Sequence, residues 1–244
     1  MSTVATAVVR RGGEIVATRG PDGLHLPWAS VTKPLSAVIA LWAAEDELVS
    51  LDDPVGPPGS TLRHLLAHAS GLPMEGLQPT FRPGERRIYS NSGFDLLAEH
   101  VEDRAGLPFP ALLPDGFEGV LSGPAGSGYV GPLTDLVRLA AVLLEPDWTP
   151  EVQFPGLSGV LPGFGRQDPN DWGLGFEIRG AKTPHWTGSA NSPRTFGHFG
   201  RSGTFLWVDP DAGLALGCLT DLAFGDWAVD AWPRLSDAVL AQTS

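Results

Sequence analysis

The chain has 244 residues, 42% of them hydrophobic and 18% charged, with 28 acidic against 16 basic side chains and a net charge of −12. That is globular composition, long enough for a sizeable core, and its acidity excludes nucleic acid and anionic lipid as partners, since both demand a basic face. A lone Cys218 excludes an internal disulfide framework and any multi-cysteine metal site.

The N-terminus, MSTVATAVVRRGGEIVATRG, has no basic region followed by an apolar one, and no apolar run approaches the length of a membrane span, so the expectation is a cytoplasmic protein without membrane contact. Residues 4–11 and 14–19 flank Gly12-Gly13, a hairpin signal. From Ala29 to about Ala44 the sequence reads as a helix that carries no charge after Lys33 and is therefore buried on every side; Pro34 must fall in its first turn, which puts Ser30 at its N-terminus. Ser60 or Thr61 caps a helix LRHLLAHA, and Ser92, with Asp95 three residues on, caps GFDLLAEHVEDRAG. Residues 106–131 read as loop, Asp135 opens the helix DLVRLAAVLL, and 146–171 is loop again. TFGHFG, GTFLWVDP and LALGCLTD are strands, and a last helix runs over about 226–241 with a kink at Pro233. The pattern predicts one domain over 1–244: an antiparallel sheet from about 1–28 and 190–244, helices on both sides, and a helical region inserted at 29–189.

Only two of the sixteen basic residues are lysines, Lys33 and Lys182, and Lys33 stands three residues after Ser30. On a helix that spacing puts both side chains on one face, at the end where unpaired N–H groups and the dipole favour negative charge. A desolvated lysine amine loses its proton and can take one from a hydroxyl, which a guanidinium cannot. The ordinary alternative is an N-cap serine beside a solvated lysine, although a lysine in a first turn opposes the dipole.

Two further elements follow in order, Tyr89-x-Asn91 just before a helix and His198-x-Gly200 on a strand. The ordered set S-x-x-K, Y-x-N, H-x-G resembles the penicillin-recognising serine hydrolases, and most closely their branch of class C β-lactamases, D-alanyl-D-alanine peptidases and esterases. LVSLDDPVG, TLRHLLAHASGLP, YSNSGFDLLAEHVEDRAG, GPLTDLVRLAAVLL and WGLGFEIRG resemble that family's connecting segments in its order. The chain departs from it in two ways. His198-Phe199-Gly200 replaces K-T-G, and little lies between Leu107 and Ser127.

The resemblance implies a β-lactamase-like fold with Ser30 as the acylated nucleophile and Lys33 as the amine that activates it. Tyr89 would pass a proton to the leaving group, its pKa lowered by a cationic neighbour. Asn91 would hydrogen-bond the acyl-side amide or ester, and the N–H groups of Ser30 and Arg201, beside Gly200, would form an oxyanion hole. A mostly neutral His198 in place of a fixed cation weakens carboxylate recognition and favours neutral esters or amides, with Arg201 partly offsetting the loss.

The expected function is a serine hydrolase of small esters or amides, needing no cofactor and no metal; oligomeric state is not readable. A D-Ala-D-Ala-type peptidase or β-lactamase keeps the fold and changes the substrate, whereas a non-catalytic ligand-binding module would keep only the pocket. His64 and His68 could share a helical face with a metal but lack a third ligand, and His100-Val101-Glu102 lacks the cysteines of a zinc deaminase. GPAGSG at 123–128 reads as a solvent loop, Trp28 and Trp172 as pocket walls, and Lys182-Thr183-Pro184 as no equivalent of K-T-G, since proline has no N–H.

Overall fold

A computed structural model describes residues 3–21 and 23–243. Its N-terminal hairpin is β1 (Val4–Arg10) and β2 (Glu14–Arg19), followed by the short β3 (Leu26–Pro27). A 3-10 turn over Ala29–Val31 runs directly into α1 (Thr32–Glu45), and Pro34 lies in that helix's first turn, where its missing N–H costs nothing. The buried run Thr32–Ala40 bears out the reading of α1 as a helix enclosed on all sides over its first half.

Helix α2 (Leu62–Leu66) is shorter than LRHLLAHA suggested, because His68 takes a positive φ of 53° and ends it. Thr61 caps it, with His64 closing the reciprocal bond in the place usually held by a glutamate. α3 (Asn91–Ala105) starts earlier than expected. Its cap is Ser90, whose Oγ accepts from Gly93 N, while the expected cap Ser92 instead accepts from Gly76 N.

The stretch expected to be loop holds two short strands, β4 (Val120–Leu121) and β5 (Tyr129–Gly131), which join β3 in a three-stranded sheet of order β3-β5-β4. Then come α4 (Leu133–Leu143), the two-stranded ribbon β6 (Gly159–Leu161) and β7 (Gly165–Gln167), and β8 (Glu177–Ile178). These strands are two or three residues long, too short to show an alternation of period two. The C-terminal third supplies β9 (Phe196–Phe199), β10 (Phe205–Asp209), β11 (Leu214–Thr220) and α5 (Asp226–Thr243), which contains Pro233.

The main sheet has the order β2-β1-β11-β10-β9-β8, antiparallel throughout, so the two termini meet where β1 pairs β11 from Val4↔Thr220 to Arg10↔Leu214. It reaches back to β8, inside the region read as helical. Alternation along the strands feeds two cores. Ala5, Ala7, Leu206, Val208, Ala215 and Leu219 pack on one face with α1, α3 and α4, and Val8, Phe205, Trp207, Leu216 and Cys218 pack on the other with Trp232 and Leu240 of α5. The result is a helix–sheet–helix sandwich, with the end of β9 laid against the turn before α1.

Candidate active site

The turn that leads into α1 is strained where it matters. Ala29 adopts a left-handed φ of 47°, a conformation that costs an alanine about 1 kcal/mol or more and holds the half-buried Ser30 at the mouth of a pocket. Gly200 makes that position possible, because a Cβ added there would lie 2.5 Å from Trp28 O and 3.1 Å from Ser30 N. Only a glycine lets β9 approach the Ser30 amide so closely. Among the described residues neither the Ser30 N–H nor the Arg201 N–H has a partner.

One turn on, Lys33 is fully buried. Its Nζ donates to Asn91 Oδ1 at 2.7 Å and to Gly126 O at 2.8 Å, and lies 4.7 Å from the centre of the Tyr89 ring. Burial is the main cause that brings its pKa down to about 7, against the opposing pull of Asp95 and Glu75. The loop 123–128 is therefore not a solvent loop. Ala125 O accepts from Ser36 Oγ and Gly126 O from Lys33, and a side chain on Gly126 would meet Nζ at 3.0 Å.

Tyr89 corrects the expectation of an acidified phenol. Desolvation raises its pKa well above the ordinary value, and only Ser30 opposes this, since a neutral Lys33 provides no cation to lower it. The Ser30 and Tyr89 hydroxyls face one another without closing a hydrogen bond of ordinary geometry. Asn91 faces the pocket and is also engaged within the protein. Oδ1 accepts from Lys33 and Nδ2 donates to Glu75 Oε1 at 2.7 Å.

His198 Nδ1 lies 2.7 Å from Phe199 O, and a carbonyl only accepts, so Nδ1 carries the proton and Nε2 is bare. Burial, reinforced by Lys33, lowers its pKa to about 3. It packs against Tyr89 and Trp172, with ring centroids 5.7 and 5.5 Å away. Arg201 is exposed at the rim.

Ser30, Tyr89, Asn91, His198 and Arg201 line one pocket of about 430 Å³, together with Glu75, Trp172 and Glu177, while Lys33 sits behind its wall and Gly200 beneath Ser30. Of the two tryptophans read as walls, Trp172 lines the pocket and Trp28 is core, edge-on to Tyr129 with centroids 4.5 Å apart. Sequence reasoning missed Glu75, Gly126 and Glu177. Glu177 holds Lys182, His185 Nε2 and Trp186 Nε1 in a buried cluster, which accounts for the KTPHW segment set aside above. His64 Nδ1 bonds Thr61, His68 packs against the Tyr89 ring and meets Trp172 edge-on, and His100 pairs with Asp53 at 2.8 Å. Among the described residues no group of three metal-ligating side chains forms and no helix is long and apolar enough to cross a membrane.

A sandwich whose β9 abuts a Ser-x-x-Lys turn, with Tyr-x-Asn opposite, is a β-lactamase-like architecture. The signature of the β-lactamase family matches residues 1–117. A β-lactamase from Mycobacterium bovis superposes with a TM-score of 0.95 at 52% identity, over 99% of this chain and 95% of that one. The chain belongs to the serine β-lactamase and penicillin-binding-protein superfamily of hydrolases. Penicillin-binding protein 4* of Bacillus subtilis is 32% identical, but the match covers 33% of this chain and 25% of that longer protein. EstA from Arthrobacter nitroguajacolicus shares the fold, with a TM-score of 0.75 at 16% identity, over 99% of this chain and 92% of its own.

Proposed function

We propose that this protein is a serine hydrolase that forms an acyl-enzyme on Ser30 and releases the acyl group to water, acting on small neutral esters or amides. The state of Lys33 carries this reading. A neutral amine has two hydrogens and one lone pair. Asn91 Oδ1 and Gly126 O can only accept, so they occupy the two hydrogens, and with a pKa near 7 the lone pair is available at neutral pH to take the Ser30 proton.

In the proposed cycle Ser30 Oγ attacks the carbonyl carbon as its proton passes to Lys33. The oxyanion of the tetrahedral intermediate accepts from the Ser30 and Arg201 N–H groups. Tyr89 keeps its proton until the leaving group needs one, donates it there, and is reprotonated from the Lys33 ammonium. Water then attacks the acyl ester by the same proton path in reverse order, restoring Ser30.

A neutral His198 supports neutral substrates, since it has no charge to offer a carboxylate. Arg201 at the rim supports a second reading, a D-alanyl peptidase or β-lactamase whose substrate carboxylate pairs there. Incubation with a fluorophosphonate probe, a fluorescent penicillin and p-nitrophenyl acetate, each beside Ser30→Ala, separates the readings. Ser30-dependent probe labelling and acetate turnover without a stable penicillin adduct is the expected result. A durable penicillin adduct transfers the assignment to the peptidase reading, and silence of the intact protein in all three overturns catalysis.

A further inference from the structure

We infer that Glu75 is a positioning residue, whose carboxylate holds the Asn91 amide in the one orientation that turns Oδ1 toward Lys33. The inference rests on the Ser30–Lys33 reading above and adds a residue to it. An asparagine amide is nearly symmetric in shape, and a flip exchanges its acceptor for its donor. Flipped, Nδ2 would donate to the lone pair of a neutral Lys33 and occupy the electrons that must accept the Ser30 proton. Lys33 alone does not prevent this, because a neutral amine can both give and take a hydrogen bond. A carboxylate only accepts, so Glu75 Oε1, at 2.7 Å from Nδ2, admits a single orientation.

Glu75 is an exposed acid, yet its backbone is not free to wander. Pro73 O accepts from Ser90 Oγ at 2.7 Å, Met74 O from Asn91 N at 2.9 Å, and Gly76 N donates to Ser92 Oγ at 2.8 Å. These three bonds lay the segment along the first turn of α3, where the carboxylate meets the amide. Among the described residues Glu75 forms no ion pair that would compete for it.

Two effects of Glu75 are separable. The hydrogen bond sets the orientation of Asn91. The charge raises the proton affinity of Lys33, as does Asp95 of α3; the other titratable groups around the amine, His68, His198 and Tyr89, are held neutral by burial. Glu75→Gln removes the charge and keeps an acceptor, but its amide can also donate and so admits both orientations of Asn91, whereas Glu75→Ala removes charge and hydrogen bond together.

The test is the second-order rate of Ser30 phosphonylation by a fluorophosphonate from pH 5 to 9, read by intact mass, with Ser30→Ala as the blank and Tm measured for each variant. Glu75→Gln should move the midpoint about half a pH unit lower, because the base binds its proton less tightly, with a plateau between those of the parent and Glu75→Ala. Glu75→Ala should lose about tenfold at the plateau, part of the 10²–10⁴ a general base supplies, with Tm within a few degrees of the parent. Glu75→Ala labelled at the parental rate and midpoint overturns the inference while leaving the Ser30 reading intact. A Glu75→Gln plateau well below that of Glu75→Ala also overturns it, since a side chain that can still accept from the amide would then be worse than none. A parent protein labelled no faster than Ser30→Ala overturns the reading beneath it.

Discussion

Lys33 is worth its burial only if the amine gains a chemical role, because desolvating an ammonium is among the larger costs a fold can carry. Its pKa near 7 means that a base-dependent rate rises with pH through neutrality and levels off above it. Lys33→Arg should abolish p-nitrophenyl acetate turnover with a native circular dichroism spectrum, since a guanidinium stays charged; near-normal turnover would refute the proposed base. His198 titrates near 3 and contributes no step between pH 5 and 8, so replacing it with lysine should improve esters bearing a carboxylate on the leaving group relative to their neutral analogues. A comparison of kcat/KM for such a pair of esters in His198→Lys and the parent checks this. At this scale the sequence was most readable. Ser30, Tyr89, Asn91, His198 and Arg201, named from motif order, line one pocket with Lys33 behind it. Glu75 and Gly126 were not readable, because what they offer is a carboxylate and a carbonyl set down beside the site by loop paths with no periodic signature.

Elements were readable in proportion to their length. The hairpin, α1, α3 to α5 and the three C-terminal strands have enough residues to display a period. β3 through β8 do not, and they exist because neighbouring backbone supplies their partners. The cap of α3 shows the limit of local chemistry. Ser90 and Ser92 are both good caps, and the choice is made by tertiary partners, Pro73 O for Ser90 and Gly76 N for Ser92. Ser90→Ala should cost about 1 kcal/mol in urea unfolding, because Gly93 N loses its acceptor. Gly200→Ala is the sharper test of how β9 meets the turn before α1. With backbone 2.5 Å from the new methyl, the strand end must retreat from Ser30, and the acylation rate should fall about tenfold or more for a stability loss of about 1–3 kcal/mol. Unchanged acylation would show that the close approach has no bearing on the Ser30 amide.

For the whole molecule, the sheet closes because the chain's two ends pair as β1 and β11, and the inserted region brings Tyr89, Asn91 and the loop 123–128 over α1. At the far edge, β8 is tied down by Glu177 among Lys182, His185 and Trp186. Burial opposes the ionisation of Glu177, but the charges and hydrogen bonds of His185 and Lys182 prevail and hold its carboxyl well below the ordinary glutamate range. Its folded pKa lies below its unfolded one, so its stabilisation is complete above about pH 4.3 and drains away as the pH falls beneath that value. Glu177→Gln should cost about 3–5 kcal/mol at pH 7, because the buried Lys182 ammonium loses its counter-charge, and should flatten the loss of stability between pH 5 and 3. Urea midpoints across that range measure both.

The account as a whole stands on a neutral amine beside a serine, and the pH dependence of the pre-steady-state acylation burst with p-nitrophenyl acetate addresses it most directly. A burst whose amplitude maps to Ser30 by mass, and whose rate climbs to a plateau with a midpoint close to 7, is the predicted result. A burst rate still rising at pH 10, as an ordinary lysine would give, or an acyl group carried on another residue, would contradict it.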